Sequence, residues 1–228
     1  MENYSKFNDI NAVLKKAKDS IDKIEKEYNE SLTAQSISDD LLVDIKDYLG
    51  NLRSSLDYLR GKVSKYNFPI CKTEKEFDNC TTDLSSEVKN AIKKWQPFQG
   101  NDWIGWFNIL NNKSKHLTLI PQKRSEKKTM TAKTENVSVT MPIDNPNFSI
   151  HQGDGCQVFL GGVPVKFTNQ GIVPLAPGLQ TEITTWVSFE FDNSNCPDLP
   201  NNISALPFLK QCFEKIIQAI SEIESALK

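Results

Sequence analysis

Only two side chains in this sequence titrate near neutrality on their own, His116 and His151. His116 closes the run Asn-Asn-Lys-Ser-Lys-His. In one role, the imidazole trades a proton with a substrate while the ammonium groups of Lys113 and Lys115 hold a phosphate. In the other, it caps a helix by bonding the last carbonyls. His151 precedes a Gly-Asp-Gly turn and receives no role. Residues 113–133 hold Lys113, Lys115, Lys123, Arg124, Lys127, Lys128 and Lys133 against one acid, Glu126, in a chain of net charge −2. Such a local field attracts phosphates. A lysine-rich loop equally serves solubility and guards a sheet edge.

Arg53 and Asp57 stand at i and i+4, so they share a helix face and can pair. If that face is buried, the pair becomes a polar network inside a bundle that reaches Asn111, Asn112 or His116. If it is exposed, it is an ordinary surface pair. Trp95, Trp103 and Trp106 cluster with Phe98 and Phe107. Aromatic rings of this kind stack on bases when exposed, but the helical spacing suits core packing better.

Several chemistries have no signature here. GxGxxG, GxSxG and HExxH are absent, as is a phosphate-binding glycine loop. The five cysteines, Cys71, Cys80, Cys156, Cys196 and Cys212, are widely spaced and form no CxxC. No paired Cys/His ligand spacing occurs, so neither a metal nor a cofactor is expected. Cysteine usage points to a reducing, cytoplasmic setting. No apolar run is long enough to cross a bilayer, and Met1 to Lys18 lacks the apolar segment of a secretory signal. No membrane partner is expected.

The elements that must position these residues follow from apolar spacing. Phe7, Ile10, Leu14, Ala17, Ile21, Ile24 and Tyr28 recur at steps of three and four, which predicts a helix over 7–32. A second helix is expected from Asp39 to Tyr66, with Ser38 or Asp39 as its cap and Gly50 permitting a close helix approach. Residues 71–82 read as a polar connection. A third helix is expected from Asp83 to Trp95, stopped by Pro97, and a fourth from Asn101 or Asp102 to His116. The period then changes to two, and four to six antiparallel strands are expected between 117 and 192, with Gly161-Gly162 as a tight hairpin turn. A last helix runs from Ser204 to Lys228, with Pro207 in its first turn. Its stripe cannot be buried alone. The reading is therefore an α+β chain: a helical bundle over 1–116, an inserted antiparallel β block over 117–200, and a C-terminal helix over 201–228 that completes the bundle.

Four phrases occur in order: NLRSSLDYL at Asn51 to Leu59, FPI at Phe68 to Ile70, WQPF at Trp95 to Phe98, and LNNKSKH at Leu110 to His116. Together they resemble an uncharacterised bacterial family with Leu-Arg-Ser-x-Leu-Asp, Gln-Pro-aromatic and Asn-x-x-x-Lys-His motifs, over residues 38–120. The helical layout also resembles the HEPN superfamily, whose members bind or cleave RNA or assist nucleotidyl transfer. Active HEPN ribonucleases carry an Arg-polar-x-x-x-His motif, often paired across a dimer. Here Asn111, Asn112 and His116 occupy those positions, and an asparagine replaces the arginine.

That resemblance implies an RNA-directed protein, a metal-independent endoribonuclease of a bacterial defence or toxin system working as a homodimer. His116 would be its acid–base group, with Asn111 and Asn112 orienting the phosphate. Lys113, Lys115, Arg53, Lys123 and Arg124 would bind phosphate, and Asp57 would orient Arg53. The alternative is a non-catalytic interaction or scaffold protein, with the bundle as support, a helical dimerisation surface and the β block facing a protein partner. A small-molecule pocket lined by the aromatics is the third expectation.

Overall fold

The first two helices form a hairpin because their apolar stripes face each other across a four-residue connection. In the computed structural model, α1 is Asn3–Ala34 and α2 is Asp39–Arg60. Residues 1–2, 62–66, 117–118, 144–156, 169–170, 195 and 228 lie outside the described residues, as do the side chains of residues 3–7 and 116. Ile10, Ala17, Ile21, Ile24 and Tyr28 are all buried, so the predicted stripe is the packing face. Ser38 starts α2 by accepting the Leu41 N–H at 3.1 Å, and Asp39 and Asp40 favour the positive end of its dipole. The described helix ends at Arg60, with the Gly61 N–H bonded to the Asp57 carbonyl at 2.8 Å, and the expected end at Tyr66 lies outside the described residues.

The expected polar connection at 71–82 instead contains a short helix, α3, Glu74–Cys80. Thr73 and Glu76 form a reciprocal capping box, and Phe77 is fully buried as its anchor. Next come α4, Ser86–Lys93, one turn of 3-10 helix at Pro97–Gln99, and α5, Asp102–His116. The last helix, α6, is Ala205–Ser225.

A single core holds Ile21 and Leu56 together with Leu209 and Ile216, so α6 closes against the first two helices. The Tyr48 hydroxyl on α2 donates to the Leu209 carbonyl at 2.9 Å inside that core. Trp95 and Trp103 are buried there edge to face, with centroids 6.4 Å apart. Trp95, Trp103 and Phe107 are core, which removes them as an exposed stacking surface, while Phe98 and Trp106 are half-buried against it.

Six strands follow α5 among the described residues: β1 Gln122–Lys133, β2 Ser138–Ile143, β3 Val158–Leu160, β4 Val163–Thr168, β5 Gly171–Pro174 and β6 Gln180–Phe191. They form two three-stranded sheets, ordered β2-β1-β6 and β3-β4-β5. Most of the basic stretch is therefore strand rather than loop. Gly161 and Gly162, at φ 54° and 84°, make the β3–β4 turn in the doubly left-handed form that a two-residue hairpin requires. A Cβ at Gly161 would also lie 2.2 Å from the Thr134 hydroxyl oxygen.

The chain divides into a helical unit, residues 1–123 and 189–228, and a β unit, residues 124–188. These boundaries fall inside the predicted limits of 117 and 200, and the reason is apolar. Ile120, Phe189, Phe191, Cys196 and Leu199 all bury their side chains in the helical core. The β unit has its own, much smaller core of Ala132, Met141, Leu160, Val165 and Ile172. Among the described residues no helix is long and apolar enough to cross a membrane.

Candidate functional site

Three of the sequence phrases converge on one extended segment, residues 68–71. Arg53 and Asp57 grip Phe68 from both sides of its peptide unit. Asp57 Oδ1 accepts the Phe68 N–H at 2.8 Å, and Arg53 Nη2 donates to the Phe68 carbonyl at 2.8 Å. The two side chains hold each other through Nε to Oδ2 at 3.1 Å and Nη2 to Oδ1 at 3.0 Å. Arg53 Nη1 reaches Asn108 Oδ1 on α5 at 3.5 Å. Gln96 continues the clamp. Its side chain is fully buried, with Oε1 accepting the Cys71 N–H at 2.9 Å and Nε2 donating to the Pro69 carbonyl at 3.0 Å.

These contacts have a physical cause. Pro69 holds the segment extended, so its peptide groups have no ladder or helix to satisfy them. Phe68 is 1 % exposed, which places the segment inside the protein, where an unsatisfied peptide group costs about 1–3 kcal/mol. Side chains from α2 and from the turn after α4 supply the missing partners.

The clamped segment forms one wall of a cleft of about 280 Å³. Ile70, Cys71 and Lys72 face Pro97 and the α5 residues Asp102, Gly105, Trp106, Asn108 and Ile109, with Asp198 on the rim. Lys72 and Asp198 pair at 3.0 Å. Trp106 leans its other side on Phe208, at 6.3 Å between centroids. The volume is at the lower limit of small-molecule sites, about 300 Å³. Its lining mixes apolar side chains with Asp102 and Asn108. Burial, and then the neighbouring Cys80, push the Cys71 thiol up to about 12, so it is protonated at neutral pH.

The remaining predicted site residues do not gather here. Asn111 is 2 % exposed; its Nδ2 donates to Asn112 Oδ1 at 3.3 Å, and its Oδ1 meets no partner among the described residues. Asn112 is exposed one residue on. Lys115 is exposed, and its Cε would lie 3.8 Å from a Cβ at Gly50, an ordinary contact. Gly50 is therefore not required by any close approach of α2 and α5. Lys113 and Lys123 both act on Asp192, whose carboxyl lies below its ordinary range chiefly because the Ser194 backbone N–H and hydroxyl donate to it. Arg124 belongs to the β unit, where it pairs with Glu126. His116 ends α5, but its side chain lies outside the described residues, as does all of His151. No group of three or more metal-ligating side chains occurs among the described residues.

The β unit offers a different surface. Strand register places Phe159 opposite Pro164 and Lys166 opposite Val173, on one face of the β3-β4-β5 sheet. Leu175 follows Val173 on the same face, its N–H bonded to the Pro164 carbonyl at 2.9 Å. The opposite face carries the buried Val165 and Ile172. Phe159 is 56 % exposed, Val173 45 % and Leu175 58 %. On β6, Trp186 is 61 % exposed, its indole N–H donating to the Thr129 hydroxyl at 3.2 Å.

Comparison of the chain with family models, curated proteins and solved structures gives no match. The likeness to the bacterial family and to HEPN proteins rests on the quoted residues. The structure gives several of those residues a shared job, which is holding the 68–71 segment. Sequence reasoning missed Gln96, Asn108, Cys71 and Trp106 as parts of one site. The signal for Gln96 was present: a glutamine just ahead of a helix-stopping proline, with an unladdered Phe-Pro-Ile segment elsewhere in need of partners.

Proposed function

We propose that this chain is a non-catalytic interaction protein, in which the helical unit is the rigid support and the outer face of the β3-β4-β5 sheet docks an apolar protein surface. One observation carries the reading. Of the nine large apolar side chains that are exposed among the described residues, six lie in the β unit, and three of these share that sheet face. Exposed apolar area gathered on one face marks a contact surface. A benzophenone side chain placed at Phe159 should cross-link to protein when the chain is photolysed in lysate or at high concentration. The same probe at Ile217 on α6, also exposed, should cross-link far less. Equal cross-linking at both positions would sink the proposal.

A second reading has its own support. Lys113 and the exposed Lys115 stand in the last turn of α5, and Lys113 and Lys123 both help lower the Asp192 carboxyl, so positive charge gathers near that helix end. On this reading the helical unit is HEPN-like and RNA-directed, with His116 as the acid–base group. Salt-sensitive retention of RNA should then fall in Lys115→Glu with Lys123→Glu, and RNA cleavage should vanish in His116→Ala. RNA binding that is indifferent to the lysine changes would count against it.

A further inference from the structure

The closed end of the α1–α2 hairpin holds a pocket built from residues far from the 68–71 segment. α1 stops at Ala34, where Gln35 takes the left-handed φ of 58° that ends a helix, and Ser38 then caps α2. Glu27, Glu30, Ser31 and Ala34 recur at the spacing of one helix face and form one wall. Ser36, Ser38 and Asp40 complete the lining, around a volume of about 370 Å³. Apart from Ala34, every lining residue carries a side-chain oxygen, and none is a lysine or an arginine. Two of these oxygens lack a donor. Ser31 is 8 % exposed, and its hydroxyl makes no hydrogen bond among the described residues. Ser20 and Thr33 on the same helix instead bond back to the carbonyls of Lys16 and Asn29. Glu27 Oε2 is enclosed and has no partner among the described residues. Lys23 stands 3.5 Å from the other oxygen, Oε1, and has a closer partner in Asp44 at 2.6 Å.

We propose that this pocket binds a short aliphatic diamine or polyamine. One primary ammonium donates to Glu27 Oε2 and to the Ser31 hydroxyl, the two acceptors that the fold leaves unsatisfied. A second ammonium meets the exposed carboxylates of Glu30 and Asp40, and the small Ala34 leaves room for the methylenes between. Three features select this chemistry. A buried acceptor without a donor is unfavourable, and a charged N–H is the donor that a carboxylate binds best. The last turn of α1 has no basic residue, so the negative end of its dipole adds to the field of the carboxylates. Finally, the acids here do not close into a group of three that would hold one metal ion. Carboxylates spread along a pocket are matched by a cation charged at two points rather than at one.

The test titrates the full chain with putrescine at physiological salt and follows its backbone amides by nuclear magnetic resonance. Saturable shifts are expected at Ser31, Ser36 and Ser38. Butylamine, with one charge, should bind more weakly, and tetramethylammonium, which has no N–H, should leave these amides unmoved. Glu27→Gln removes a charged hydrogen-bond acceptor and should weaken putrescine binding by about tenfold or more. Ser31→Ala should weaken it less, and Asp19→Asn, which removes an exposed acid of α1 outside the pocket, should not change it. The wild-type shift map needs no variant, so a variant that fails to fold does not blunt the test. Shifts that never saturate or that spread along α1 would overturn the proposal. So would an equal loss in Asp19→Asn, or butylamine or tetramethylammonium binding as tightly as putrescine.

Discussion

The two units solve the same problem with very different means. The helical unit gathers buried side chains from all six helices into one core. The β unit clusters only five buried apolar residues over two small sheets, with Met130, Val139, Val158, Phe167 and Leu179 packed partly against them. A core of that size contributes little beyond the cost of ordering the chain. Polar side chains show the same contrast. In the helical unit Arg53, Asp57 and Gln96 satisfy buried backbone. In the β unit the described lysines and threonines lie along strand faces, and large apolar groups are left in solvent. The lesson is that the large buried core and most of the exposed apolar side chains are allotted to different parts of the chain.

The largest expected effect tests the separation itself. Leu209→Ala should destabilise the helical unit by about 2–5 kcal/mol, read as a lower denaturation midpoint by far-ultraviolet circular dichroism. Val165→Ala should instead speed hydrogen exchange in the β unit and leave the helical midpoint in place. If Val165→Ala shifts the helical midpoint as far as Leu209→Ala, the two units do not unfold separately.

The clamp comes next. Gln96→Ala leaves the Cys71 N–H and the Pro69 carbonyl unsatisfied and should cost about 2–3 kcal/mol in denaturant titration. Asp57→Ala should cost a similar amount, because it strands a largely buried Arg53. A loss near zero in both would mean that water reaches the 68–71 segment and that the clamp is dispensable. On the β unit, Phe159→Asp should change stability by no more than about 0.5 kcal/mol while abolishing cross-linking from a benzophenone placed at Leu175 on the same face. A large stability loss there would make Phe159 a core residue.

The smallest effect concerns pH. The Asp192 carboxyl is held low by Ser194, so the stabilisation it brings is present above the ordinary carboxylate range and is lost as pH falls through the lowered value. Ser194→Ala should move the midpoint of the Asp192 carboxyl carbon shift upward. An unmoved midpoint would assign the effect to the Ser194 backbone N–H, which alanine keeps, and after it to Lys123 and Lys113.

Much of this was legible before any coordinates. Stripes at steps of three and four located the long helices, because burying one face of an isolated helix demands that period. Gly161-Gly162 located the hairpin, because two successive left-handed residues exclude most side chains. Even α3 had its signal in Thr73 and Glu76, outweighed by the polar character of its exposed residues. The site was less legible. Arg53 and Asp57 paired as their spacing required, yet their target, the Phe68 peptide unit, is eleven or more residues away and bears no side-chain signature.

Local order and period are written in neighbouring residues, so the sequence alone determined which segments are helix or strand and which faces are apolar. What those faces close upon depends on contacts between distant positions. Only the tertiary structure brought Gln96 to Cys71, joined the Asp192 N–H to the Pro121 carbonyl, and left Phe159 and Trp186 in solvent. A backbone carbonyl or an uncovered sheet face carries no residue code, and its partner is decided by how the whole chain packs.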